Sequence, residues 1–181
     1  RYSLMMISKN KRLALFKDEC RRYFYYQSEI AKIDDSLRNL AVKMCNVHSP
    51  STQKIGSTPT RHELDYIRLI EAKTEFEKKK AYYQARVDWI NEIIESIPSR
   101  AYSAIAWMTL VQAKTKMDII ITYDAKPEYI YKVRDQFLIK ELTDERMAVY
   151  HGIEEKYPEY LLPDEDEEED EEKNESDQSE G

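Results

Sequence analysis

The sequence predicts an all-α protein: a long antiparallel coiled-coil helical hairpin, then a compact helix-turn-helix domain, then a disordered acidic tail. Glycine and proline are scarce, with 3 and 6 in 181 residues, which leaves few turns for a β-rich fold. Long tracts rich in Lys, Glu, Ala, Leu and Ile favour helices. No apolar run approaches about 18 residues, so we expect no membrane-spanning segment.

The first predicted helix runs from about Lys9 to Asn46. Its apolar residues recur at spacings of three and four, which is typical of a coiled-coil seam. Gln27 interrupts this seam. The apolar positions are Leu13, Phe16, Cys20 and Tyr23, followed by Ile30, Ile33, Leu37, Leu40 and Met44.

The second predicted helix runs from Thr60 to about Glu95, after a polar loop at 47–61. Thr60 and Glu63 have the spacing of a capping box, and Pro98 follows the helix end. Two helices of similar length joined by a loop predict an antiparallel hairpin over 8–97. Because two helices alone bury only a narrow strip, we expect a second copy to pack against the hairpin and give a homo-oligomer.

A helix-turn-helix domain is predicted over 98–142. A short apolar helix from Ser99 to Ala113 opens it, with Trp107 as the expected core anchor. Thr115 and Asp118 form a second capping-box spacing, so the next helix begins there. Ile119, Ile120 and Tyr123 supply its apolar face.

The turn and second helix of this domain follow at once. Asp124 and Ala125 suit a turn, and Pro127 suits the first turn of a new helix. On that helix the apolar face is Ile130, Val133 and Phe137. In a DNA-binding helix-turn-helix, the second helix enters the major groove. The plainer alternative is an ordinary helical hairpin packed in a core.

The DNA-binding interpretation assigns residues to two kinds of contact. Polar side chains on the second helix would face base edges, and basic side chains near the helix ends and the turn would contact phosphates. The expected base-edge residues are Glu128, Tyr129, Tyr131, Lys132 and Gln136. The expected phosphate contacts are Lys114, Lys116, Lys126, Arg134 and Lys140.

Charge is distributed unevenly along the chain. A short helix at 143–157, capped by Thr143, precedes a tail at 158–181 that we expect to be disordered because it is rich in charge and poor in apolar residues. From Asp164 to Gly181 there are twelve acids and one Lys, a net of −11. The whole chain carries −7, so the remainder carries +4. A mildly basic body is compatible with a nucleic-acid partner.

Other functional classes find little support in the sequence. Cys20 and Cys45 are the only cysteines, and we expect both to be reduced thiols in a cytoplasmic protein. Cys45, His48 and His62 lack a fourth ligand at a zinc-site spacing, so no metal or cofactor is expected. With no Gly-rich phosphate loop and no nucleophile motif, we expect no enzyme activity. The opening residues are too short for a signal peptide, and we expect the natural start at Met5 or Met6.

Residues 118–134, DIIITYDAKPEYIYKVR, resemble the helix-turn-helix of bacterial sigma factor region four. The long two-helix segment, the boundary IPSRAY at 97–102 and the Trp107-containing helix extend this likeness. Together they resemble the ArpU/RinA family of phage transcriptional regulators over roughly 8–142. The chain departs from the usual pattern at Ile120 (a small residue), at Asp124 (Gly) and at Lys126-Pro127 (a Ser or Thr cap).

The resemblance implies a cytoplasmic activator of phage or prophage genes in a bacterial host cell. Such a protein would bind double-stranded DNA at a promoter region and act with host RNA polymerase. Two alternatives stay open. A phage DNA-packaging recognition subunit of the small terminase kind would also combine a helix-turn-helix with oligomerising helices. A coiled-coil interaction protein would never touch DNA.

Overall fold

A computed structural model describes residues 7–46, 58 and 60–161, and every regular element within these ranges is helical. The all-α class is therefore confirmed. The predictions for the start at Met5 or Met6, for loop residues 47–57 and 59, and for tail residues 162–181 lie outside the described residues. The prediction that disorder begins at 158 is wrong, because Pro158–Tyr160 form a 3₁₀ turn and Tyr160 packs against the main core. The elements are α1 (Lys9–Arg21), α2 (Tyr23–Asn46), α3 (Arg61–Glu95), α4 (Arg100–Ala106), a π-helical segment (Trp107–Val111), α5 (Lys116–Tyr123), α6 (Pro127–Glu141), α7 (Asp144–Lys156) and a 3₁₀ turn (Pro158–Tyr160).

The expected single helix from Lys9 to Asn46 is interrupted at Arg22. The Arg22 N–H donates to the Glu19 carbonyl at 3.1 Å, and the ladder resumes when the Tyr26 N–H donates to the Arg22 carbonyl at 3.0 Å. The sequence contains the reason. Tyr26 is buried and Gln27 is exposed, so two successive spacings of three separate Cys20, Tyr23 and Tyr26. Such a phase shift overwinds a seam locally.

Helices α2 and α3 run antiparallel. The Lys80 ammonium lies 2.6 Å from an Asp34 carboxylate oxygen, and the Tyr23 hydroxyl lies 3.2 Å from the Asn91 amide oxygen. As the α2 residue number rises, its α3 partner's number falls equally, which defines the direction. The Asp34 carboxylate also gives the partly buried Lys80 ammonium a partner of opposite charge. The capping box that starts α3 is present as predicted.

The main core extends beyond the hairpin. Buried side chains from α1, from the C-terminal half of α3, from the segment after α4 and from α7 form one continuous cluster. Trp89 anchors it, since its indole N–H donates to the Arg146 carbonyl at 2.8 Å and its ring lies 4.8 Å from Tyr150. Trp107, expected as an anchor, is only half-buried and packs edgewise on Tyr23. The expected boundary at 97–98 therefore coincides with no gap in packing.

Helix α7 begins as predicted, with the Thr143 hydroxyl accepting from the Arg146 N–H. Its buried residues Met147, Tyr150 and Ile153 face the core. Among the described helices, none combines the length and apolarity that crossing a membrane requires.

Candidate nucleic-acid interface

Helix α5 begins at the predicted capping box. The Thr115 hydroxyl accepts from the Asp118 N–H at 3.3 Å, and Asp118 Oδ2 accepts from the Thr115 N–H at 2.9 Å. The Thr115 hydroxyl also donates to Oδ2 at 2.7 Å. These hydrogen bonds from Thr115 lower the pKa of the Asp118 carboxyl, because they favour its charged form. The helix start is thus fixed by side chains in the exposed part of the chain.

The turn after α5 places Asp124 in the left-handed region, with φ 47° and ψ 44°. Its N–H donates to the Ile120 carbonyl at 2.8 Å, which closes the helix. Glycine is the usual residue in this conformation, and aspartate is tolerated because its short polar side chain bonds locally. Lys126 is then extended, and Pro127 occupies the first turn of α6 as predicted.

A small core of its own holds α5 and α6 against α4. Its buried members are Ile105, Ile119 and Ile130. The half-buried side chains packed around them are Tyr102, Met108, Tyr123, Ala125 and Tyr131. This cluster packs the N-terminal half of α6, while Phe137 and Leu138 pack its C-terminal half against the main core. Ile120, expected on the inward face of α5, is instead exposed.

One face of α6 is open to solvent. Glu128, Lys132, Gln136 and Lys140 are exposed and recur every four residues, so they form one row along the helix. Tyr129 stands beside the first turn of this row with 65% of its surface exposed. Such a row presents hydrogen-bond donors and acceptors to a binding partner. We call these five residues the α6 row.

Two of the expected contact residues lie elsewhere. Arg134, expected at a phosphate, is buried and donates to the Thr109 hydroxyl at 2.9 Å and to Asp135 at 2.9–3.0 Å. The structure therefore removes Arg134 from the phosphate set. Its guanidinium also covers the ring of Tyr131 at 4.7 Å, and this half-buried ring packs against the small core. Tyr131 is therefore not part of the α6 row.

The sequence contained a signal for the burial of Arg134. It lies four residues after Ile130 and four before Leu138, and both of these are buried. Residues at this spacing share one helical row, so Arg134 belongs to the inward side of α6. An arginine there needs partners, and Thr109 and Asp135 supply them.

Four exposed lysines lie on α6, at the start of α5 or on the segments that lead into these two helices. Lys126 lies at its N-terminal end, Lys140 lies near its C-terminal end, and Lys114 and Lys116 flank the start of α5. All are exposed, and none forms an ion pair with another described residue. Unpaired surface lysines around one helix provide positive charge that an anionic polymer can neutralise.

The structure also exposes apolar side chains that the sequence did not single out as a surface. Met117, Ile120 and Ile121 protrude from α5. The run of three isoleucines was the signal, because a helix of eight residues with one neighbouring face can bury only one of them well.

Comparison with protein-family models, with curated proteins and with solved structures finds no match for this chain. Within the described residues, no group of His, Cys, Asp or Glu side chains has the arrangement of a metal site.

Proposed function

We propose that this chain is a sequence-specific regulator that binds double-stranded DNA by placing α6 in the major groove. The observation that carries the proposal is the α6 row, an exposed polar face on a helix that the small core and the main core together hold in position. A major groove admits one α-helix, whose side chains read base edges.

Four members of the α6 row have a base partner of matching chemistry. The Lys132 ammonium can donate to guanine O6 and N7, and the Gln136 amide can pair with adenine N6 and N7. The Glu128 carboxylate can accept from cytosine N4, while the Tyr129 ring offers apolar contact to a thymine methyl group. Lys114, Lys116, Lys126 and Lys140 would neutralise phosphates around this row.

The finer biological role rests on the sequence resemblance alone. The order of a long hairpin, a Trp-containing helix and a helix-turn-helix resembles the ArpU/RinA regulators. On that ground we propose that the protein acts on phage or prophage genes with host RNA polymerase, as a homo-oligomer in the bacterial cytoplasm.

A titration of the full chain against promoter-derived and random duplexes tests the binding proposal. Lys132→Ala should weaken binding to the preferred duplex by about 1–3 kcal/mol if the side chain contacts a base. The same change should weaken binding to random DNA by less. Lys43→Ala, at the far end of α2, is the matched control and should leave both affinities unchanged. Equal losses on all sequences would assign Lys132 to a phosphate instead.

A protein-interaction role is the second candidate. Met117, Ile120 and Ile121 favour it, because a helix that only crosses a DNA backbone has no use for exposed apolar side chains. A folded full chain that binds no duplex at low salt would place this candidate first.

A further inference from the structure

Helix α5 carries an apolar ridge that no described residue covers. Met117, Ile120 and Ile121 are 63%, 39% and 75% exposed. Their spacing of three and four places them on one face, opposite the buried Ile119. We call these three residues the α5 ridge. An anchor pattern at i, i+3 and i+4 is the one by which helices are recognised in apolar grooves.

A groove of about 770 Å³ lies elsewhere on the same chain, between the C-terminal end of α3 and the α4–π segment. Buried Ile94 and Ile97 form its floor, and half-exposed Trp107 and Met108 line its wall. We call it the α3–α4 groove. It opens to solvent and contains apolar and aromatic surface of the kind found at the centres of protein interfaces.

Contacts within the chain hold the walls of the α3–α4 groove in place. The Ser103 hydroxyl donates to the Ile94 carbonyl at 2.8 Å, which ties α4 to α3. The Tyr23 ring packs edgewise on Trp107 with centroids 5.0 Å apart. Ala104 lines the groove and is exposed, so its small side chain leaves room for a guest. A preformed groove avoids the ordering penalty that weakens binding.

We propose that the α5 ridge of one copy docks into the α3–α4 groove of a second copy. Charge supports this choice of occupant. Lys116 and Asp118 flank the ridge on opposite sides, since each lies about 100° around the helix from Met117. The groove walls carry Glu95 on α3 and Arg100 on α4. In one of the two docking directions, Lys116 lies beside Glu95 and Asp118 lies beside Arg100.

Both flanking charges on α5 are available for ion pairs with a second copy. The capping box engages only Oδ2 of Asp118, so Oδ1 takes no part in it. Lys116 is exposed and forms no ion pair with another described residue. The α6 row takes no part in the contact. Lys116 is shared with the proposed phosphate contacts, so assembly is measured without DNA, where only the contact between copies can act on it.

The contact would be heterologous, because the ridge and the groove are different surfaces. A pair of copies joined in this way leaves one ridge and one groove unoccupied. Further copies can therefore add until a ring closes, or without limit if the rotation does not close. A contact through matching surfaces would stop at the pair.

Two surface variants test the direction of assembly. Ile121→Lys breaks the ridge, and Ala104→Arg fills the groove, and both place good helix formers at exposed helical positions. Each variant alone should self-associate about tenfold more weakly than the native chain, as loss of a central anchor implies. An equimolar mixture should recover a dimer and nothing larger, because one intact ridge then meets one intact groove. Sedimentation velocity measures all three masses.

Matched controls lie on α7, where Val149→Lys changes an exposed β-branched apolar residue and Ala148→Arg changes an exposed alanine. They should leave assembly as it is in the native chain. Circular dichroism verifies folding, and Met117→Lys with Arg100→Glu provides a second pair if either first variant unfolds. A native chain that is monomeric at all concentrations overturns the proposal. So do variants that assemble normally, and so does a mixture that stays monomeric.

Discussion

Arg86 and Glu19 form an ion pair at 2.9 Å, and both side chains are almost completely buried. The Glu19 carboxylate also accepts from the Tyr26 hydroxyl at 2.9 Å, while the Arg86 guanidinium donates to the hydroxyls of Tyr82 and Tyr150 at 3.0 Å. The network joins α1, α2, α3 and α7. Within the described residues, no buried side-chain polar atom lacks a hydrogen-bond partner.

Breaking this ion pair on one side should destabilise the fold strongly. Arg86→Met leaves the buried Glu19 carboxylate with only the more distant Arg22 guanidinium, at 3.9 Å, as its cation, and we expect the free energy of unfolding to fall by about 3–5 kcal/mol. Arg21→Met, in the exposed pair with Asp18, should change it by less than about 1 kcal/mol. Urea unfolding followed by circular dichroism measures both. Equal changes in the free energy of unfolding for the two variants would show that the buried ion pair stabilises the fold no more than the exposed one.

Replacing both partners should recover part of that loss. Arg86→Met combined with Glu19→Leu removes the buried carboxylate along with the ion pair, so the double variant should be more stable than Arg86→Met alone. A double variant whose loss equals the sum of the two single losses would contradict this coupling.

Ala113 is the site of a stabilising substitution. Its φ is 52°, a conformation that alanine rarely adopts, and the Lys114 N–H next to it donates to the Met108 carbonyl at 2.9 Å. Ala113→Gly should raise the free energy of unfolding by about 0.5–1 kcal/mol, because glycine adopts positive φ without a steric penalty. Ala148→Gly inside α7 should lower it by about 1 kcal/mol. Losses at both positions would refute the positive φ at Ala113.

The Asp118 capping box should make stability depend on pH. Hydrogen bonds from Thr115 lower the pKa of Asp118 in the folded chain. The stabilisation is therefore fully present above the unfolded-state pKa, ordinarily about 3.9, and is lost as pH falls through the lower folded value. Asp118→Asn should be less stable than the native chain at neutral pH, and the gap should close in acid. Urea midpoints across the pH range measure it.

Thr115→Ala provides the check on this cause. Without the Thr115 hydroxyl, the pKa of Asp118 loses its main reason to be lowered. In the Thr115→Ala background, the stability change caused by Asp118→Asn should therefore depend less on pH. An unchanged pH dependence in that background would assign it to another group.

The features predicted correctly from the sequence are mostly local. Capping boxes at Thr60 and Thr115, the cap at Thr143 and the Pro127 helix start each depend on residues within one turn of each other. The all-α class follows from composition in the same direct way. Such signals need no knowledge of what lies across the fold.

The features that sequence reasoning missed depend on neighbours distant in the chain. Arg134 is buried with the Thr109 hydroxyl, on the π segment, as a hydrogen-bond partner. Trp89, and not Trp107, anchors the main core because α7 covers it. The break at Arg22 follows from a phase shift in the buried positions of the first two helices. The shift becomes visible only once the structure shows that Tyr26, and not Gln27, lies in the core. The pattern along α6 indicates that Arg134 is buried, but patterns along one helix do not identify Thr109 as its partner or α7 as the helix that covers Trp89.

The burial of Arg134 separates two kinds of variant. Arg134→Met should lower the free energy of unfolding by about 1–3 kcal/mol, because Thr109 and Asp135 lose a partner. Lys126→Ala should leave stability nearly unchanged and should reduce the salt dependence of DNA binding by about one phosphate contact. If Arg134→Met kept its stability and reduced the salt dependence, Arg134 would lie at the surface. If Lys126→Ala left the salt dependence unchanged, Lys126 would lie outside the interface.

The salt dependence of DNA binding by the full native chain tests the central claim most directly. Lys114, Lys116, Lys126 and Lys140 are the proposed phosphate contacts that remain after Arg134 is removed, and all four are exposed. Each neutralised phosphate contributes about −0.9 to the slope of log K against log salt, so a slope between about −3 and −4 is expected, with tighter binding to one duplex than to random DNA. A folded chain that binds no duplex at low salt, or binds with a slope near zero, would contradict the proposal that α6 enters DNA.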